Sequence, residues 1–145
     1  MSELSIVSRS QGIPKTPFVQ ISLSEKPHVP GQTGGEFKKN YTYKLGAAPT
    51  YVTVEPNGKN DMWDSGNRAT WVIPSTVKLK NGQKMMIMDH DMTNDQNGYY
   101  YKGTCEMALS GETITVSVRL WHDYTGGSGW YTPDLNVNFA VTGYF

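Results

Sequence analysis

Cysteine is almost missing from this sequence. Cys105 stands alone, so the chain can form no internal disulfide. Long apolar runs are missing as well, and none approaches the ~20 residues that a membrane-spanning helix needs. Charge is scarce, at 18% of residues against the usual quarter or so. Its signs cancel, with 13 basic and 13 acidic residues, which argues against the net basic footprint of a dedicated nucleic-acid binder. The opening residues, MSELSIVSRS, lack the basic start and apolar core of a secretory signal peptide, so a soluble protein is expected. Asn40-Tyr41-Thr42 forms a glycosylation sequon that matters only on a secretory route. Amphipathic helical periodicity is absent throughout.

Aromatics and alternation are present instead. Aromatics make up 12% of the chain, with nine tyrosines. Apolar and polar residues alternate, and turn signals recur about every ten residues, the pattern of an all-β chain. The segments Leu4–Val7, Phe18–Leu23, Tyr41–Leu45, Tyr51–Val54 and Thr70–Ile73 read as strands. Val19, Ile21 and Leu23 share one face, as do Tyr41, Tyr43 and Leu45. Lys26–Gly35 and Lys59–Ala69 read as loops. The fold class predicted is all-β, an antiparallel β-sandwich with hairpins and long aromatic-rich loops, forming a single domain over residues 1–145.

Two hairpins fix the expected registers. Val77–Met88 turns at Asn81-Gly82, a pair suited to a type I′ turn, which would set Leu79 against Lys84 and Val77 against Met86. Lys78, Lys80 and Lys84 would then cluster at its tip and protect an edge. Tyr99–Leu109 and Glu112–Trp121 turn at Ser110-Gly111, setting Met107 against Ile114 and Cys105 against Val116. In that pair Ile114, Val116, Val118 and Leu120 face the core, with Arg119 and Trp121 outside. The closing strand is Leu135–Val141. Leu135, Val137, Phe139 and Val141 point inward, and Asn136 and Asn138 outward.

Signatures of catalysis are missing. There is no nucleophile elbow and no zinc spacing of His and Cys. Gly126-Gly127-Ser128-Gly129 has no following Lys-Ser/Thr pair, so it is not a phosphate loop. Cys105 faces the core and should be inert. The acidic stretch Asp89–Gly98 resembles the start of a calcium loop. It fails at its glycine position, Asn94, and at its closing glutamate position, Tyr100. A different oxygen cage from Asp89, Asp91 and Asp95, with Asn97, is the one metal candidate. Met85, Met86, Met88, His90 and Met92 could suggest copper, but alternation sends the thioethers to opposite faces, as in a core strand. The expectation is a protein that is not an enzyme and needs no cofactor.

Binding is what the aromatic stretch Arg119–Asp134, RLWHDYTGGSGWYTPD, points to. Trp121, Asp123, Tyr124, Trp130 and Tyr131 flank a glycine-rich loop, and Trp63 stands in another expected loop. Large rings at a sandwich end suit the wet-dry boundary of a bilayer. They equally suit sugar faces, with Asp123, Asp134 and Asn136 bonding hydroxyls. They would also serve simply to cap the open end of the core.

Val118–Tyr131 reads as an apolar strand, an aromatic, an aspartate, a Gly-Ser loop and another aromatic. This segment resembles one in the aegerolysins, small β-sandwich proteins that bind membrane lipids. Tyr101-Lys102-Gly103-Thr104 and Gly111-Glu112 resemble the hairpin before it. The likeness covers about a third of the chain, and Leu135–Phe145 is shorter than a comparable tail. Some aegerolysins act with a larger partner protein as pore-forming toxins, including insecticidal ones. The loop also resembles the aromatic membrane-binding loop of actinoporins. It is similar to the calcium and galactose loop of a bacterial lectin family, without that family's paired asparagines. The resemblance implies a protein released to act at a target-cell surface, on membrane lipid or surface glycan, with a larger partner toxin protein or as a homo-oligomer. A lectin is the alternative, and a virion or other structural protein the second alternative.

Overall fold

The computed structural model describes residues 17–30, 35–64, 67–70, 76–94, 99–124, 130–131 and 134–145, with side chains over 17–28, 35–60, 76–89, 102–121 and 134–145. Among the described residues every regular element is a strand. In chain order these are β1 (Phe18–Glu25), β2 (Val29–Pro30), β3 (Gly35–Lys44), β4 (Tyr51–Pro56), β5 (Asp61–Asp64) and β6 (Asn67–Thr70), followed by β7 (Val77–Lys80), β8 (Lys84–Asn94), β9 (Tyr99–Ser110), β10 (Thr113–Tyr124), β11 (Trp130–Tyr131) and β12 (Asp134–Tyr144). The expected strand Leu4–Val7 lies outside the described residues, as do residues 71–73 of the strand expected after Thr70.

β12 organises the first sheet. One of its edges pairs with β1, from Phe18 opposite Thr142 to Glu25 opposite Leu135. Its other edge pairs with β5 at its start and with β4 at its end. β6 and β7 extend the layer beyond β5 and β4. The layer therefore reads β1-β12-β5-β6 at one end and β1-β12-β4-β7 at the other. The second sheet runs β3-β10-β9-β8, and β2 with β11 forms a small separate ladder. All pairings are antiparallel.

The alternation read from the sequence decides which faces meet. Leu135, Val137, Phe139 and Val141 are fully buried from the first sheet, and Ile114, Val116, Val118 and Leu120 from the second. Ile21, Leu23, Val52, Val54 and Leu79 join them in a single cluster with Cys105, Met107 and Leu109. Each such side chain removed from water contributes about 1.5–3 kcal/mol. The sheets are also tied at one open side, where Lys39 Nζ of β3 donates to Glu25 Oε1 of β1 at 3.2 Å.

Asn81-Gly82 does make a tight turn, with Gln83 N donating to Lys80 O at 3.1 Å and Gly82 at φ +90°. It does not close a hairpin. β7 pairs with β4 in the first sheet and β8 with β9 in the second, so the turn carries the chain between layers. The expected pairs Leu79–Lys84 and Val77–Met86 do not form, and the lysines do not share a hairpin tip. The Asn81 side chain explains the change. Its Nδ2 donates to Pro49 O at 2.7 Å and to Gly111 O at 2.8 Å, and its Oδ1 accepts from Gly111 N at 2.9 Å. It fastens three turns together at one end of the sandwich.

The β9–β10 hairpin forms two residues away from the expected register. Ile114 faces Leu109, Val116 faces Met107 and Val118 faces Cys105. The turn is Gly111-Glu112, because a primed turn needs positive φ at its first central residue and Gly111 takes φ +59° there. A shift of two preserves the side-chain parity, so the inward set is unchanged.

In β8 a bulge lies between Met86 and Met88. The extra residue lets Ile87 and Met88 both face inward, at 3% and 2% exposure, while Met86 is half exposed. Met86 and Met88, which strict alternation would put on one face, thus divide between surface and core because the bulge resets the phase.

Candidate functional site

The expected loops around the aromatic residues are largely strands. Trp63 lies in β5, with its backbone opposite Asp134 and Arg68. Trp121, Asp123 and Tyr124 lie at the end of β10, which continues past the expected stop to put Asp123 opposite Tyr100 and Tyr124 opposite Tyr99. Trp130 and Tyr131 form β11, opposite Pro30 and Val29 within the expected Lys26–Gly35 loop. The physical reason is edge satisfaction: segments rich in Tyr and Trp have high strand propensity, and each finds a partner for its backbone groups. Gly126–Gly129 lies outside the described residues.

The topology nevertheless brings these positions to one end of the sandwich. The ends of β1, β5 and β10 and the starts of β3, β9 and β12 all meet there, opposite the end fastened by Asn81. Trp63 belongs to the first sheet, Trp121, Asp123 and Tyr124 to the second, and Trp130 and Tyr131 to the small ladder. Among these six, side-chain surroundings are described for Trp121. It is half-buried on the outer face, as expected, with the Arg119 guanidinium 4.1 Å from its ring centroid. Arg119 Nε also donates to Glu36. Such a cation over indole is worth roughly 0.5–1 kcal/mol at an exposed site. It presents an aromatic plate backed by a held charge.

Asp89 and Asp91 lie on β8 rather than in a loop, with backbones opposite Thr104 and Lys102. An extended strand cannot wrap successive oxygens around one ion, which a calcium loop must do. Asp95 and Asn97 lie outside the described residues. Among the described residues no group of three or more His, Cys, Asp or Glu is placed to hold a metal ion.

Cys105 is fully buried, and burial pushes its thiol up to about 12. It is protonated at neutral pH and a poor nucleophile. Tyr43 packs against the same core, and its phenol is raised by burial first and by Cys105 second.

A polar cleft of about 400 Å³ opens on the first sheet beside the aromatic end. Ser24, Glu25, Lys26, Lys59, Asp134 and Asn136 line it. Lys26 Nζ lies 3.3 Å from Asp134 Oδ1, and Ser24 Oγ donates to Asn136 Oδ1 at 3.4 Å. Glu25 Oε1 accepts from Lys39, whereas its Oε2 is buried and meets no hydrogen-bond donor among the described residues. A buried acceptor left unmet costs about 1–3 kcal/mol. Below the cleft, Asn60 and Asn138 lock the bend that carries Lys59: Asn60 Nδ2 donates to Asn138 O at 3.0 Å, and Asn138 Nδ2 donates to Lys59 O at 2.5 Å.

Asp134 and Asn136 were legible as hydroxyl-bonding candidates. Ser24, Glu25, Lys26 and Lys59 were not. Their signal was the outward polar row Ser22 and Ser24, which matches the row Asn136 and Asn138 only once β1 is known to pair with β12.

No family model, curated protein or solved structure matches this chain.

Proposed function

We propose that this protein is a non-enzymatic β-sandwich that binds a target-cell membrane, as a component of a pore-forming cytolytic or insecticidal toxin. The observation that supports it is the gathering of Trp63, Trp121, Tyr124, Trp130 and Tyr131 at one end of two rigid sheets. Trp and Tyr partition to the headgroup level, where an apolar ring and a polar edge are both satisfied. Arg119, stacked on Trp121 and ion-paired with Glu36, holds that ring in place on the outer face. Pore formation, a larger partner protein and assembly into a homo-oligomer rest on the aegerolysin resemblance of Val118–Tyr131. Release to a target-cell surface belongs to the same reading.

Liposome sedimentation tests it. Trp121→Ala, Trp130→Ala and Tyr131→Ala should each weaken binding by on the order of 1–2 kcal/mol, as interface aromatics do, with little change in melting temperature. Phe139→Ala removes a fully buried ring and should cost about 3–5 kcal/mol of stability. Liposome binding that survives all three end-of-sandwich substitutions would refute the membrane reading. So would a Trp130→Ala melting loss equal to that of Phe139→Ala, which would make the rings a structural cap.

Carbohydrate binding is the second reading. The cleft containing Asp134 and Asn136 favours it, because carboxylate and amide groups side by side suit sugar hydroxyls.

A further inference from the structure

We infer that Asn81 is a modification site that the unfolded chain exposes and the folded chain closes. In the open chain the Gly82 nitrogen converts the Asn81 amide to a carboxylate through a cyclic imide. A chain so converted can no longer fasten its turns as Asn81 does. The inference is independent of what the protein binds.

The chemistry is that of an asparagine followed by glycine. Asparagine is among the chemically labile residues. The Gly82 nitrogen gives its proton to solvent base and attacks Asn81 Cγ. The N–Cγ bond forms, the Cγ–Nδ2 bond breaks, and Nδ2 takes a proton from water and leaves as ammonia. Water then opens the imide ring at either carbonyl. The product is aspartate or, with the backbone rerouted through the side chain, isoaspartate. Water is consumed and ammonia released, with no oxidation or reduction. A side chain on the following residue would screen the attacking nitrogen, and Gly82 has none.

Folding blocks each part of this reaction. Asn81 Nδ2 is held by Pro49 O and Gly111 O at 2.7 and 2.8 Å, and Oδ1 by Gly111 N at 2.9 Å, so the amide cannot turn toward Gly82. The Gly82 N–H donates to Leu109 O at 2.8 Å, which retains the proton that must leave. The Asn81 N–H donates to Thr50 O at 2.9 Å and fixes the backbone on the other side. Pro49 and Gly111 lie 32 and 30 residues away along the chain, so the protection arrives only with the sandwich itself.

Asn57-Gly58 is the contrast within the same chain. Asn57 is exposed, and among the described residues only its backbone N–H is bonded, to Asn138 O at 3.1 Å. The Gly58 nitrogen meets no acceptor among the described residues. A third such pair, Asn97-Gly98, lies outside the described residues.

Conversion undoes the fastening. The new carboxylate can still accept from Gly111 N, but an oxygen replaces the Nδ2 that faced Pro49 O and Gly111 O. Both carbonyls lose a donor and face an acceptor instead. Isoaspartate also lengthens the backbone of a turn that depends on Gly82 at φ +90°.

The test incubates the whole protein at pH 8, in buffer and in guanidinium chloride. Digestion and mass spectrometry then read amide-to-acid conversion at each site. In guanidinium both Asn57 and Asn81 should convert. In buffer Asn81 should slow by at least about tenfold, because it must wait for local opening, and Asn57 should slow by less. Asn81→Asp, which reproduces one product, should melt below both the unmodified protein and Asn57→Asp, or fail to fold. No conversion of Asn81 in guanidinium, or a slowing in buffer no greater than that of Asn57, would overturn the inference. So would an Asn81→Asp protein as stable as Asn57→Asp.

Discussion

The side-chain amide of Asn60 stands in for a missing peptide group opposite Asn138. Its Oδ1 accepts from Asn138 N at 2.7 Å, and its Nδ2 donates to Asn138 O at 3.0 Å. β4 ends at Pro56 and β5 begins at Asp61, and between them Asn57 N still donates to Asn138 O at 3.1 Å, but among the described residues no backbone carbonyl takes Asn138 N. One buried side chain thus carries the ladder across the gap. Gly58, at φ +123°, lets the bend form, and a Cβ there would press to 3.3 Å from Asn138 Cβ.

Asn60→Leu should therefore be costly even though it adds apolar bulk. It strands Asn138 N, at about 1–3 kcal/mol, while Asn138 O keeps the bond that Asn57 N donates at 3.1 Å. Urea unfolding should show a loss of about 1–3 kcal/mol on that basis. A loss below ~0.5 kcal/mol, the level of an ordinary surface change, would show that water replaces the amide.

The alkaline limb of stability should carry a Cys105 contribution. Its folded value, about 12, lies above the ordinary thiol value of 9.0. The native state therefore holds a proton that the unfolded state releases between those values. Stability is fully present below pH 9 and falls as pH rises toward 12. Cys105→Ala should flatten that part of the profile in denaturant titrations across this range. Native protein should also resist thiol reagents at pH 8, and rapid labelling would contradict the burial.

The inner and outer faces of β10 should respond oppositely to charge. Val116 is fully buried against Met107, so Val116→Asp should abolish cooperative folding. Its neighbour Thr115 points to the outer face, and Thr115→Asp should shift the melt only slightly. Circular dichroism on both variants decides this. Equal effects would mean that β10 does not turn Val116 inward and Thr115 outward.

Asn81→Ala should loosen the end of the sandwich away from the aromatic rings. Three hydrogen bonds to Pro49 O, Gly111 O and Gly111 N disappear together. At about 0.5–1.5 kcal/mol each the loss should reach about 2–4 kcal/mol. Hydrogen exchange should quicken at Gly111 while the amides of β12 keep their protection. Unchanged exchange at Gly111 would show that the turns hold without Asn81.

Side-chain alternation was legible because it is local. Leu135, Val137, Phe139 and Val141 declare one face in the sequence, and burial follows. Register was less legible. Both Ser110-Gly111 and Gly111-Glu112 suit a tight turn, and both give the same parity, so alternation cannot choose between them. Asn81-Gly82 misled for a different reason. A turn motif specifies a reversal, not whether the two strands then pair with each other. The partners of Asn81 lie at Pro49 and Gly111, too far along the chain to be read locally. The cleft was hidden likewise, because Ser24 and Asn136 meet only through long-range pairing. Trp121 was read at a strand end, but the strand backbone of Trp63, Asp123, Tyr124, Trp130 and Tyr131 was not, since nearby glycines suggested loops.

The layer-crossing turn at Asn81-Gly82 has a consequence for how the chain is made. β7 and β8 do not form a local pair, and β1 waits for β12, with Phe18 opposite Thr142. The β9–β10 hairpin can assemble early and recruit β8. The first sheet cannot close until β12 has left the ribosome, so β1 and β4 emerge with unpaired edges. Folding should therefore be slow, as for other chains dominated by distant pairings. During that interval the nascent strands are exposed to aggregation.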